Sequence, residues 1–355
     1  MKKGLQKMED SCSTILTNRR NHNVDFIRVI ACIAVVGLHT FPKDLSIVTT
    51  SLYYICGFAV PAFFMSSGYF LLNRGKVECR YVIHKCIGII RVVFLWNIIF
   101  LVLRFIKQLI IDKEATINLL IFAEEFLKSF VQKGKFGQFW YLGTTLIIYA
   151  LLPILSRMNF RQKNILLSSC GVVSIAIEEL SIINGVPLQK NVIQTFRIWT
   201  WLFYFLLGAE MPRIKDWIST RINLIVHFGV CVFVTIFVIV YQVYVGSNII
   251  HEVRGVLHAE YFYDDFIEMV WITLIFTFLL RIDFKSYLLI QILRLAPMTM
   301  GIYIIHLIVS KVTFAIIGND SIVRSIIYWI ITTMGAVIIT WIIKKIPFEK
   351  YLIQI

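Results

Sequence analysis

The stretch Asp25-Phe-Ile-Arg28-Val-Ile-Ala-Cys-Ile-Ala-Val-Val-Gly-Leu-His39 decides how this chain is read. An arginine and a histidine sit eleven positions apart inside an otherwise apolar run. At 3.6 residues per turn, eleven residues return a helix to nearly the same face, about three turns and roughly 16 Å further along. Two polar groups that are expensive to hold in hydrocarbon therefore share one stripe of a hydrophobic helix. Ionisable side chains inside a membrane span are candidates for function by default.

The composition says what surrounds that helix. Of 355 residues, 58% are hydrophobic and 16% charged, and the mean hydropathy is +0.78. A soluble domain of this size carries more charge. The apolar residues fall in repeated runs long enough to cross a hydrocarbon core of ~30 Å. The sequence predicts an all-α, polytopic membrane protein with short loops. The net charge of +14 is no nucleic-acid signal. Lys and Arg lie mostly in short loops between spans, where they set orientation. The seven cysteines are scattered, odd in number and without metal-type spacing, so neither a disulfide framework nor a metal site is expected.

About ten spans can be drawn, running Asp25–Phe41, Ser46–Leu72, Ile83–Ile111, Phe139–Leu155, Asn164–Ile183, Val192–Met211, Ile222–Val245, Tyr263–Leu280, Ile292–Ile317 and Ile322–Ile343. About two-thirds of the lysines and arginines gather on one side, beginning with Lys2, Lys3, Lys7, Arg19 and Arg20 and ending with Lys344, Lys345 and Lys350. This places both termini in the cytosol of a multi-pass protein of the cell membrane. Lys113, Lys128, Lys133 and Lys135 make the loop before the fourth span an exception. No repeat or flexible linker divides the chain. Residues 24–345 read as one transmembrane domain between cytosolic tails at 1–23 and 346–355.

Each polar feature has a plain reading beside a functional one. Arg28 lies near the cytosolic boundary, where it can simply snorkel to headgroups. His39, next to Pro42 and Lys43, can be an interfacial residue. In the second span, Pro61 kinks the helix, and Ser66, Ser67 and Gly68 allow close approach by another helix or by a ligand. The loop holding Arg74, Lys76, Arg80 and Lys85, with Arg91 further on, is either ordinary positive-inside charge or a grip on a phosphorylated ligand. Trp140 and Tyr141 open the fourth span, and Trp199, Trp201 and Tyr204 lie in the sixth. Both groups suit interfacial anchors. The ninth span brings Tyr303 and a second intramembrane histidine, His306. The remaining histidines show no ligand spacing, and there is no G-x-S-x-G and no P-loop.

These residues resemble the acyltransferase-3 family of integral-membrane acyltransferases, mostly bacterial enzymes that O-acylate cell-surface carbohydrates. The resemblance rests on Asp25-x-x-Arg28, the Arg28–His39 spacing, Phe63-Phe-x-Ser66-Ser67-Gly68-Tyr69-Phe70, Trp140-Tyr141-Leu142, Leu206-Leu-Gly208 and Gly301-Ile-Tyr-Ile-Ile-His306, in the family's order. The chain is also similar to the membrane half of membrane-bound serine racemases of glycopeptide-resistance systems. The resemblance implies a ten-helix core, an acyl-CoA donor entering from the cytosol, and Arg28 with His39 as the functional pair. It further implies that basic residues after the second span hold the CoA phosphates. The family often carries a run of arginines there; this chain has Arg80, His84, Lys85 and Arg91, with Gly88 among them.

The expected reaction is transfer of a short acyl group, acetyl first, from acetyl-CoA or another acyl-CoA to a carbohydrate hydroxyl. Peptidoglycan, teichoic acid, exopolysaccharide and a lipid-linked sugar all fit as acceptor. A neutral His39 is the candidate general base. Arg28, whose guanidinium keeps its proton, suits binding of a phosphate or thioester oxygen. Ser67 and Tyr303 are candidate donors to the oxyanion. His306 is a candidate to orient the acceptor or His39, and Trp140 a supporting residue. The donor contacts are expected from Arg28, Arg80, Lys85 and Arg91, and the partners are acyl-CoA, the carbohydrate and the bilayer. A transporter or flippase with a polar stripe is the rival reading, although no inverted repeat is evident.

Overall fold

The computed structural model describes residues 21–111, 119–250, 257–283 and 287–354. The tail expected at 1–23 lies almost wholly outside these residues, as does Lys113. Helix α1 spans His22–Thr40. The second span is α2 (Ile47–Ile55), a 3₁₀ turn at Cys56–Phe58, and α3 (Ala59–Leu72). Then come α4 (Cys79–Ile111), the short α5 (Leu119–Ser129), α6 (Trp140–Leu155), α7 (Phe160–Asn184) and α8 (Ile198–Ser219). The chain continues through α9 (Leu224–Asn248), α10 (Phe266–Leu279), α11 (Tyr287–Leu293), α12 (Thr299–Ile317), α13 (Ile322–Ile343) and α14 (Glu349–Ile353). No strand occurs among the described residues.

Among the described residues, eight segments are helical, long and apolar enough to cross a membrane. The other two expected spans are present as helices, α8 and α10. The last turns of α8 carry Glu210, Arg213, Lys215 and Asp216, and α10 has only 14 residues. The chain is an all-α polytopic membrane protein.

Local chemistry sets the ends of α1. Asn21 caps its first turn, its side-chain oxygen accepting from the backbone N–H of Asn23 at 3.0 Å and of Val24 at 3.3 Å. Asp25 then sits near the positive end of the helix dipole. Apart from Asp25, Arg28 and the polar residues at its two ends, the helix is apolar, and most of it is buried. It packs against α3, α10, α12 and α13. The break in the second span follows from Pro61, which has no N–H for the carbonyl four residues back, at Gly57. The chain takes a 3₁₀ turn there instead.

The closest helix crossing joins α3 to α8. A β-carbon at Gly68 would lie 1.7 Å from the Phe205 carbonyl oxygen, and one at Gly208 would lie 2.0 Å from that of Met65. The two glycines face each other's backbones across the contact, which only small residues permit. This crossing accounts for the small-residue pattern of both spans and fixes Ser66 and Ser67 relative to α1.

The aromatic residues expected as interfacial anchors do something else. Trp140 is 9% exposed, and Trp201 and Tyr204 are fully buried. The rings of Trp140 and Trp201 lie 5.0 Å apart and fill the core. Helix–helix packing claims them because α6 and α8 meet where these rings project.

Candidate active site

A cavity of about 740 Å³ opens at the end of the bundle where Asn21 and Asn73 sit. Its walls come from α1, α3, α4, α6 and the start of α12. Three cations, Arg28, Arg74 and Lys85, line it against one carboxylate, Asp25. Among the described residues Arg28 forms no ion pair, so its guanidinium is available to an anion. Four tyrosines, Tyr69, Tyr81, Tyr141 and Tyr149, share the wall with Ser66 and Ser67. The Asn21 amide donates to the Tyr69 hydroxyl at 2.9 Å and so ties the helix cap to the rim.

Further in, the polar stripe runs on through rings. Tyr141, which lines the cavity, stands 5.8 Å from Tyr303, ring centre to ring centre. Tyr303 stands 6.1 Å from His306, and His306 stands 5.2 Å from His39. The two predicted histidines therefore meet as a pair, built by α1 and α12 running side by side. His306 is fully buried. His39 is exposed and is not among the residues that line the cavity.

Hydrogen bonding settles the form of His306. Its Nδ1 lies 2.6 Å from the Tyr303 carbonyl oxygen, which can only accept, so Nδ1 carries the proton. In the neutral ring Nε2 is then a bare lone pair. It is buried and has no partner among the described residues. A buried acceptor left unmet costs about 1–3 kcal/mol. Such a group calls for a donor, either the His39 ring or a bound molecule.

The other candidate residues separate into two groups. Ser67 lines the cavity, with its hydroxyl donating to the Phe63 carbonyl at 3.0 Å. Tyr303 donates its hydroxyl to the Gln138 carbonyl in a short bond. Trp140 lies behind the wall, and its neighbour Tyr141 is the residue that faces the cavity. Of the cations expected to hold a donor, Arg28 and Lys85 line the cavity together. Arg80 is exposed and is not part of the wall. Arg91 is engaged elsewhere. Its guanidinium donates to the carbonyls of Lys350 and Gln354, both at 3.3 Å, and lies 4.9 Å from the Tyr351 ring. The C-terminal segment expected as a tail thus folds into α14 and docks on α4, where Trp96 also donates to the Leu352 carbonyl at 2.9 Å.

Arg74, one of the loop cations with both a boundary-charge and a phosphate-binding reading, joins the cavity lining. One feature escaped the sequence reading. Four buried carboxylates, Glu178, Asp264, Asp265 and Glu268, stand outside the cavity lining. Each accepts from a neutral partner: Gln189 donates to Glu178 at 2.5 Å, Thr200 to Asp264 at 2.5 Å, Tyr241 to Asp265 at 2.5 Å and Gln242 to Glu268 at 2.9 Å, while one oxygen of Glu178 and one of Glu268 find no partner among the described residues. The signal was present as acidic residues inside or beside predicted spans. The network knits the segments between α7 and α8 and between α9 and α10 to the helices below. Among the described residues, no group of three or more histidine, cysteine or acidic side chains is placed to hold a metal ion.

Comparison with known proteins agrees with this architecture. A family model described as an acyltransferase domain, acyltransferase-3, matches residues 21–345. An amino-acid racemase of Enterococcus faecalis is 24% identical over 358 residues, covering 93% of this chain and 48% of that protein. The chain thus spans about half the length of that curated relative. No solved structure matches. With its fold, its cavity and the match over nearly its full length, the chain belongs to the acyltransferase-3 family of membrane acyltransferases.

Proposed function

We propose that this protein moves a short acyl group, acetyl in the first instance, from a cytosolic acyl-CoA to a hydroxyl of a cell-surface or lipid-linked carbohydrate. Both termini then face the cytosol of the cell membrane, and the cavity opens on that side. One observation supports the reading: a cation-lined cavity has Tyr141 in its wall, and ring contacts run from Tyr141 through Tyr303 and His306 to His39. Arg28 and His39 lie roughly 16 Å apart along α1. A donor with phosphates at one end and a thioester at the end of a long arm suits that separation. A compact acyl phosphate does not.

Arg28, Arg74 and Lys85 hold the phosphates by charge-assisted hydrogen bonds. His39 takes the proton of the acceptor hydroxyl as its oxygen attacks the thioester carbonyl. The tetrahedral intermediate collapses with cleavage of the C–S bond, and the imidazolium returns the proton to the departing thiolate. His306, pinned through Nδ1 to a backbone carbonyl, stands beside His39 and holds that ring in position. Ser67 and Tyr303 are the candidate donors to the oxyanion, each after giving up its present carbonyl partner.

The test supplies labelled acetyl-CoA to membranes containing the protein and a surface-glycan acceptor. Transfer is expected from the wild type and is lost in His39→Ala. Equal transfer by that variant removes His39 as the base. CoA is also expected to raise the melting temperature of the purified protein, because binding to the folded state stabilises it. A transporter of glycans alone is indifferent to CoA.

A further inference from the structure

A second concave site shares no lining residue with the cavity. It is a groove of about 630 Å³ between α13 and the α11–α12 connection. Its mouth carries three cations, Arg294, Lys344 and Lys345. Its walls are Met298, Val337, Ile338 and Trp341, and Trp341 is half exposed. The Lys345 ammonium stands 3.4 Å from the centre of the Trp341 ring. Positive charge gathers at the end of the span, and the apolar walls run one to two turns up α13 from it.

We infer that this groove binds one anionic phospholipid, with its phosphate among Arg294, Lys344 and Lys345 and an acyl chain along Ile338 and Met298. Charge complementarity selects the headgroup, because no carboxylate lines the groove to offset its cations. The length of the apolar wall selects a lipid over a soluble phosphate. The site also touches the functional helix. Met298 belongs to a small buried cluster with Cys32 and Val36 of α1, which lie between Arg28 and His39. A chain seated against Met298 therefore supports the back of the helix that carries both polar groups. This inference does not depend on acyl transfer.

The experiment uses the full chain, delipidated in mild detergent and offered equal amounts of phosphatidylglycerol and phosphatidylcholine, with retained lipid counted by native mass spectrometry. Each cation near an anionic headgroup is worth about a fivefold gain, so three set a ceiling on the order of a hundredfold, and water sharing brings the expected preference to roughly tenfold. The triple variant Arg294→Gln, Lys344→Gln, Lys345→Gln is expected to lose it. Ile338→Trp, which fills the apolar part and leaves the charges, is expected to lower retention as well, so the outcome does not hang on one variant's folding. Acyl-brominated phosphatidylglycerol is expected to quench Trp341, read as the difference from Trp341→Phe. Equal retention of the two lipids, or a preference that survives both variants, overturns the inference. So does equal protection of the groove by soluble glycerol phosphate, which assigns it to free phosphate, or dimerisation that buries Trp341 without lipid.

Discussion

Substituting Gly68 by alanine tests the crossing on which the cavity wall depends. The added β-carbon would sit 1.7 Å from the Phe205 carbonyl oxygen, and real contacts stay beyond 3.0 Å. The atom it meets is rigid helix backbone, which cannot rotate aside as a side-chain end can. Helices α3 and α8 must part, and the contact formed by Gly208 against Met65 opens with them. Overpacking of a tight core costs about 1–3 kcal/mol, and a backbone clash belongs at the top of that range. Gly229 supplies the control. Nothing lies within 4 Å of its β-carbon position, on the outward face of α9. There alanine gains about 0.5–1 kcal/mol of helix propensity. The same chemical change is thus expected to have opposite signs at two sites, with a gap of roughly 3 kcal/mol. Thermal melting of the purified variants in one detergent measures it. Ser66 and Ser67 shift with α3, so Gly68→Ala is also expected to lower acyl transfer beyond its loss of stability. If Gly68→Ala melts together with Gly229→Ala, the close crossing does not exist.

Four further outcomes can be checked with the transfer assay and thermal melting. Arg28→Ala is expected to raise the KM for acyl-CoA by tenfold or more, on the order of one lost charge-assisted contact. Arg91→Ala is expected to leave KM in place and to lower the melting temperature, since Arg91 holds α14; a larger KM effect from Arg91 reverses the two assignments. Arg74→Gln should raise KM for acyl-CoA with kcat unchanged, and an unaltered KM removes Arg74 from the donor site. At His306, glutamine can offer an acceptor oxygen near the position of Nε2, whereas asparagine keeps only the donor towards the Tyr303 carbonyl. His306→Gln is expected to exceed His306→Asn in kcat by roughly tenfold, about 1.4 kcal/mol, at equal KM; equal kcat values exclude the positioning role.

Much of the fold was legible because hydrocarbon enforces it. Spans must be apolar and internally hydrogen-bonded, so the all-α character and the rough limits of eight long apolar helices follow from the sequence. The breaks followed less readily. Pro61 announced a kink, and the 3₁₀ turn lies just before it, at Cys56–Phe58. The ninth span, drawn whole from Ile292 to Ile317, is interrupted at Ala296–Met298, where Pro297 stands. The meeting of His39 with His306 was approachable because two costly groups in one bundle tend to find each other. The divergence of Lys85 and Arg91 was not. Six residues apart on α4, they point to different partners, and what captures Arg91 is a segment some 260 positions later. Trp140 and Trp201 misled for a similar reason, since an aromatic residue near a span end reads alike whether it faces headgroups or another helix.

His306 has a consequence for proton traffic. One of its nitrogens is committed to the Tyr303 carbonyl, and the other has no hydrogen-bond partner among the described residues. A proton that reaches the free nitrogen has nowhere onward to go and can leave only the way it came. The ring is a cul-de-sac and not a wire, and the pair it forms with His39 can shelter a proton inside the bilayer without opening a leak across it.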